Sequence, residues 1–71
     1  MPVLIVITNA GFVMDDKLSE LECDLQRLKQ YYPYRIIWGY IDENNENHCF
    51  ASKTKHGMNK AVREGKTVYK L

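Results

Sequence analysis

The sequence predicts an α+β fold of the ferredoxin-like kind: a βαββαβ two-layer sandwich with a four-stranded antiparallel sheet and two helices on one face. Three observations lead there. Residues 34–52, YRIIWGYIDENNENHCFAS, set two apolar runs around a segment rich in Asn and Glu, the composition of a β-hairpin and its turn. A continuous apolar run and a leucine-striped helix precede this hairpin. A shorter helical segment and a final β-rich run follow it. Two right-handed crossovers interleaved through the hairpin put the first and third strands at the centre and the second and fourth at the edges.

The first strand is Val3 to Thr8, where β-branched residues dominate and both faces are apolar. Such a run suits a central strand covered on both sides, or one whose second face meets a partner. Asn9-Ala10-Gly11 ends it. Phe12, Val13 and Met14 then lead to Asp15 and Asp16, either of which can cap a helix. That helix runs from about Asp16 to Tyr32. Leu18, Leu21, Leu25, Leu28 and Tyr32 repeat at spacings of three and four, giving one apolar stripe for the sheet. Acids crowd its first half and Arg27 and Lys29 lie near its end, which complements the helix macrodipole. Pro33 stops it.

In the hairpin, Tyr34, Ile36, Trp38 and Tyr40 share one face, and Arg35, Ile37, Gly39 and Ile41 share the other. A two-residue turn on Asn44-Asn45 pairs Tyr40 with Cys49, Trp38 with Ala51 and Gly39 with Phe50. A loop one residue longer or shorter moves Phe50 to the Trp38 face. Thr54 caps a second helix through Glu64, with Met58, Ala61 and Val62 as its apolar positions. Gly57 weakens the first turn, and Gly65 suits the left-handed residue after the end. Thr67 to Leu71 is the last strand.

A chain of 71 residues, 45% hydrophobic and 27% charged, makes one small globular domain over 1–71. A core of that size contributes no more than about 3–5 kcal/mol of net stability, so a homodimer or a bound partner is in keeping with the length. The net charge of +1 gives no overall pull toward DNA or a membrane. Its distribution is uneven: after Ser52 come Lys53, Lys55, Lys60, Arg63, Lys66 and Lys70 against Glu64 alone. The opening MPVLIVITNA is too short to span a bilayer and has no basic leader, so a cytoplasmic location is expected.

No enzyme motif is present. Gly11 stands alone after the first strand, so there is no phosphate-binding loop. His48 and Cys49 are strand neighbours and point to opposite faces, which excludes a nucleophile–base pair. Cys23 and Cys49 have no metal-ligand spacing, and no metal or cofactor is expected.

The candidate site is the sheet face left open by the helices. Trp38 and Tyr40 there offer stacking surfaces for nucleobases, and Lys53, Lys55, Lys60, Arg63 and Lys66 offer phosphate contacts. The element order and the run LIVITNA resemble the first-strand motif of RNA-recognition-motif domains. The aromatic of that motif is absent, and HCFASK keeps only Phe50 of the second motif, so no residue role is carried over. Two readings follow: a non-enzymatic module binding nucleic acid, or a protein-binding or self-associating regulator using the same face.

Overall fold

The computed structural model describes residues 5–8 and 15–71. In chain order the elements are β1 (Ile5–Thr8), α1 (Asp15–Tyr31), β2 (Ile36–Ile41), β3 (Asn47–Ser52), α2 (His56–Arg63) and β4 (Thr67–Lys70). The protein is α+β, with two helices and an antiparallel sheet. The body of the sheet is β4-β2-β3, and β1 lies along the outer edge of β4, giving the order β1-β4-β2-β3. The expected strand end at Asn9-Ala10-Gly11, the 12–14 segment and the Asp15 cap lie outside the residues and side chains described.

This order corrects the ferredoxin-like expectation: β2 and β4 are central, and β1 and β3 are the edges. Two crossovers that each skip one strand, joined by a hairpin, can interleave in two ways with the same element sequence. One is the ferredoxin-like order β4-β1-β3-β2, and the other is the order found here. Burial decides between them. Ile37, Trp38, Gly39 and Ile41 on β2 and Thr67, Val68 and Tyr69 on β4 are buried, as strands covered from both faces must be. No β3 residue is buried, which marks it as an edge. With β1 also at an edge, Ile5–Thr8 do not hold the central position that the resemblance of this run implied.

The helices lie on opposite faces, so the molecule has three layers rather than two. Leu21 and Leu25 of α1, both fully buried, pack with Ile37, Ile41 and Tyr69. Met58 and Ala61 of α2 pack with Trp38 and Val68, which point the other way. With these strand directions, crossovers of one hand would place both helices on the same face. The two crossovers therefore differ in hand, against the usual right-handed preference. The apolar patterning supplies the reason: two helices on one face would leave Trp38 and Val68 uncovered.

Gly39 sets how closely α1 approaches. A Cβ there would collide with the His48 carbonyl oxygen and stand 3.2 and 3.3 Å from methyls of Leu21 and Leu25. The expected leucine stripe is thus the core face of α1, with Leu18 and Leu28 half-buried at its ends. Tyr32 is not part of it and is exposed. Tyr34 precedes β2 and is fully exposed, so it does not share the Trp38 face.

The hairpin register differs by one residue from the expected one. Trp38 pairs with Phe50, Gly39 with Cys49 and Tyr40 with His48. The cause is an odd loop, Glu43-Asn44-Asn45, in place of a two-residue turn. Asn45 takes the left-handed conformation at φ 62°, and its N–H donates to the Asp42 carbonyl at 3.0 Å. Asp42 Oδ1 accepts from the N–H groups of Asn44 at 2.8 Å and Glu46 at 2.9 Å. A carboxylate tying down its own turn fixes the longer loop.

α2 starts later than expected. Lys55 holds the N-cap position without a side-chain bond, so Thr54 does not cap it. Its end is as the sequence predicts. Gly65, at φ 82°, donates to the Val62 carbonyl, and Lys66 donates to that of Ala61, the paired bonds of a Schellman motif.

Leu25 is fully enclosed between α1 and the sheet, so Leu25→Ala should remove about 2–5 kcal/mol through lost burial and a cavity. That is comparable with the whole stability expected of so small a domain. Circular dichroism should show a largely unfolded variant at 25 °C; a cooperative melt with an unchanged midpoint would contradict this packing.

Candidate nucleic-acid interface

The face of the sheet that carries α2 also carries four aromatic rings in two cross-strand pairs. Trp38 stacks on Phe50 with centroids 4.4 Å apart, and Tyr40 stacks on His48 at 4.7 Å. Tyr40 and Phe50 are 5.8 Å apart on the diagonal, which joins the pairs into one strip. Alternation on β2 and β3 puts all four side chains on this face, and the odd hairpin loop aligns them.

The rings differ in exposure. Trp38 is only 4% exposed, whereas Phe50 is 36% exposed and Tyr40 and His48 are intermediate. Trp38 is therefore core, and its expected role as an open stacking face is corrected. α2 covers it: a Cβ on Gly57 would stand 3.2 Å from Trp38 Cζ2, so this glycine lets the helix settle on the indole. The indole Nε1–H donates to Ser52 Oγ at 2.9 Å, which satisfies its polar atom inside the core. Phe50 was not among the expected site residues. The one-residue register error hid it, because it pointed Phe50 toward α1.

Of the expected basic residues, Lys66 comes into direct contact with the strip. Its Nζ lies 4.7 Å from the Tyr40 ring centroid, a cation–π contact. Lys53 and Lys55 are exposed in the segment entering α2, and Lys60 and Arg63 are exposed on the helix. Lys60 and Arg63 lie on the side of α2 turned away from its buried Met58 and Ala61. The face expected to be free of helices is not open: α2, with Lys60 and Arg63, lies on the same side of the sheet as Trp38 and Tyr40. Expected and observed positions also differ in which aromatics are accessible.

A second cluster sits at the hairpin end of the strip. Among the described residues, Asp42, Glu46 and His48 bring their ligand atoms within 4.8 Å of one another. His48 Nε2 and Asp42 Oδ2 are 2.8 Å apart. The Asp42 carboxyl is held below its ordinary 3.8, first by the His48 bond and then by the Glu46 and Asn44 N–H groups. The cysteines are free thiols. Cys23 is exposed on the outer side of α1; Cys49 is half-buried under it. Burial, with a smaller contribution from the nearby Asp24 charge, pushes the Cys49 thiol up to about 11.

No family model, curated protein or solved structure matches the chain. No helix among the described residues is long and apolar enough to cross a membrane.

Two measurements check this geometry. A lowered folded-state pKa for Asp42 means its charge stabilises the hairpin above the unfolded value of 3.8 and ceases to do so as pH falls through the folded value. The melting temperature of Asp42→Asn should therefore lie below the parent's at about pH 5 and above, and the gap should close under acid. A gap independent of pH would mean that the charge contributes nothing. In the second measurement, a thiol reagent at neutral pH should label Cys23 rapidly and Cys49 slowly, because only a thiolate reacts. Equal rates would contradict the burial of Cys49.

Proposed function

We propose that this protein is a small non-enzymatic module that binds single-stranded nucleic acid on the α2 side of its sheet. One observation supports this reading above the others: a partly open aromatic strip and a basic helix share the same face. Phe50, Tyr40 and His48 supply ring surface, and every base stacks on such surfaces whatever the sequence. Lys53, Lys55, Lys60, Arg63 and Lys66 supply charge at its border for the phosphates. The opposite face, under α1, has neither feature, since its first turns carry Asp16, Glu20, Glu22 and Asp24. A cytoplasmic setting fits this reading.

The second reading, a protein-binding or self-associating module, is favoured by a different observation. Phe50 is exposed on β3, whose outer edge pairs with no other strand among the described residues. An unpaired edge with an apolar side chain is a template for strand addition by a partner or a second copy.

A titration of short labelled single- and double-stranded oligonucleotides at two salt concentrations separates the readings. Phe50→Ala should weaken single-strand binding by about 1–3 kcal/mol with little change in salt slope, because stacking releases few counterions. Replacing Lys53 and Lys55 together by Gln should lower the slope by roughly one to two units across all sequences. Trp38→Ala is not a probe of binding, since it opens the core. No binding below about 100 μM at low salt, weaker than nonspecific association, ends the nucleic-acid reading. Loss of a dimer or of a captured partner on Phe50→Ala then supports the second.

A further inference from the structure

We propose that the hairpin carries a binding site for a divalent transition-metal ion of the zinc class, formed by Asp42, Glu46 and His48. The inference is independent of the nucleic-acid reading. It rests on a mixed nitrogen and oxygen donor set, held in place by the backbone of the turn and by the Tyr40 ring.

The three donors lie within 4.8 Å of one another. They come from one short segment, at positions i, i+4 and i+6, and the three-residue loop folds them together. The backbone holds Asp42 by its other oxygen: Oδ1 is occupied by two N–H groups, which leaves Oδ2 turned toward His48. The imidazole is held by the sheet, because it stacks on Tyr40 at 4.7 Å and cannot swing away without losing that contact. Glu46 is exposed, and its side chain is not bonded to either partner, so it is the arm that closes on an ion.

The chemistry selects the ion. One imidazole and two carboxylates suit zinc and its neighbours, whose bonds to such donors are about 2.0–2.2 Å. Tetrahedral donors at that bond length stand about 3.4 Å apart, so the Asp42–His48 pair, now 2.8 Å apart, opens by roughly 0.6 Å to admit the ion. The ion takes the place of the hydrogen bond between them: the neutral imidazole carries its ring proton on Nδ1, which leaves the Nε2 lone pair for the metal. Water fills the remaining position. Calcium and magnesium fit poorly. They need six or more oxygens, and here one carboxylate oxygen is already committed to the turn while the third donor is nitrogen.

The test is calorimetric titration of the reduced full chain with zinc chloride in chelator-free buffer, with magnesium chloride as control. The expected result is one zinc per chain and no magnesium heat at the same concentration. Glu46→Gln keeps the turn and removes one ligand; His48→Ala removes another. Each should weaken zinc by at least the roughly 10–100-fold that loss of an outer-shell partner causes. Cys23→Ser and His56→Ala, which alter donors outside the hairpin, should leave the affinity unchanged. In NMR spectra the His48 ring resonances should move with added zinc while those of His56 stay in place. The proposal is overturned by an absence of zinc binding at millimolar concentration. It is equally overturned if Glu46→Gln binds as tightly as the parent, or if Cys23→Ser abolishes binding.

Discussion

The rest of the structure depends on the fact that β2 is apolar on both faces. Ile37 and Ile41 project one way and Ile36, Trp38 and Tyr40 the other, with Gly39 between. A strand of that kind cannot sit at an edge or face water on one side without a large penalty in exposed surface. Its position next to both β3 and β4 follows, and so does one helix on each face. Two glycines adjust the fit. Gly39 lets the leucines of α1 rest on the strand, and Gly57 lets the first turn of α2 rest on Trp38. Each is a place where a side chain would hold two layers apart.

Helices on opposite faces also separate the charge. α1 contains five acids and three bases, whereas the segment after Ser52 contains six bases and Glu64. On one face these groups would largely cancel. On opposite faces they give the molecule an acidic side and a basic side, and the total of +1 conceals both. Under the proposed function, a polyanion approaching at low salt would be steered to the α2 side, where the partly open rings are. Surface charges of this kind are screened beyond about 10 Å at 0.1 M salt, so the steering acts at short range.

Much of the element sequence was legible in the chain. The leucine stripe of α1, Pro33 after it, the left-handed Gly65 and the opposed directions of His48 and Cys49 all rest on local rules, and local rules were enough. The strand order was not legible, because both interleavings satisfy the same connections. The run from Val3 to Thr8 argued for the wrong one by reading as a buried strand. The hairpin register failed on a single group: Asp42, rather than the Asn pair, organises the turn. That one residue moved Phe50 from the α1 face to the Trp38 face, and with it the accessible part of the candidate site. Asp42, Glu46 and His48 went unnoticed for the same reason. Their even spacing fits a strand, in which Asp42 and His48 would stand far apart, and only the folded loop brings the three together.

The unequal openness of the two faces comes from helix length. α1 has 17 residues and at about 1.5 Å per residue spans roughly 25 Å, enough to cover a six-residue strand of about 20 Å from end to end. α2 has eight residues and spans only about 12 Å. Seated on Trp38 and Val68 near the middle of the sheet, it cannot also reach the outer strand or the hairpin end. Phe50, at the outer strand, and Tyr40 and His48, toward the turn, are left partly uncovered by this shortfall, and none of them is surplus to the core. A ring exposed in this way is still held by its stacked neighbour, so it meets a ligand with little conformational freedom left to lose. The short helix thus leaves a partly open ring strip on the same side of the sheet as its own bases, and that combination is why the proposed binding is assigned to this face rather than the one under α1.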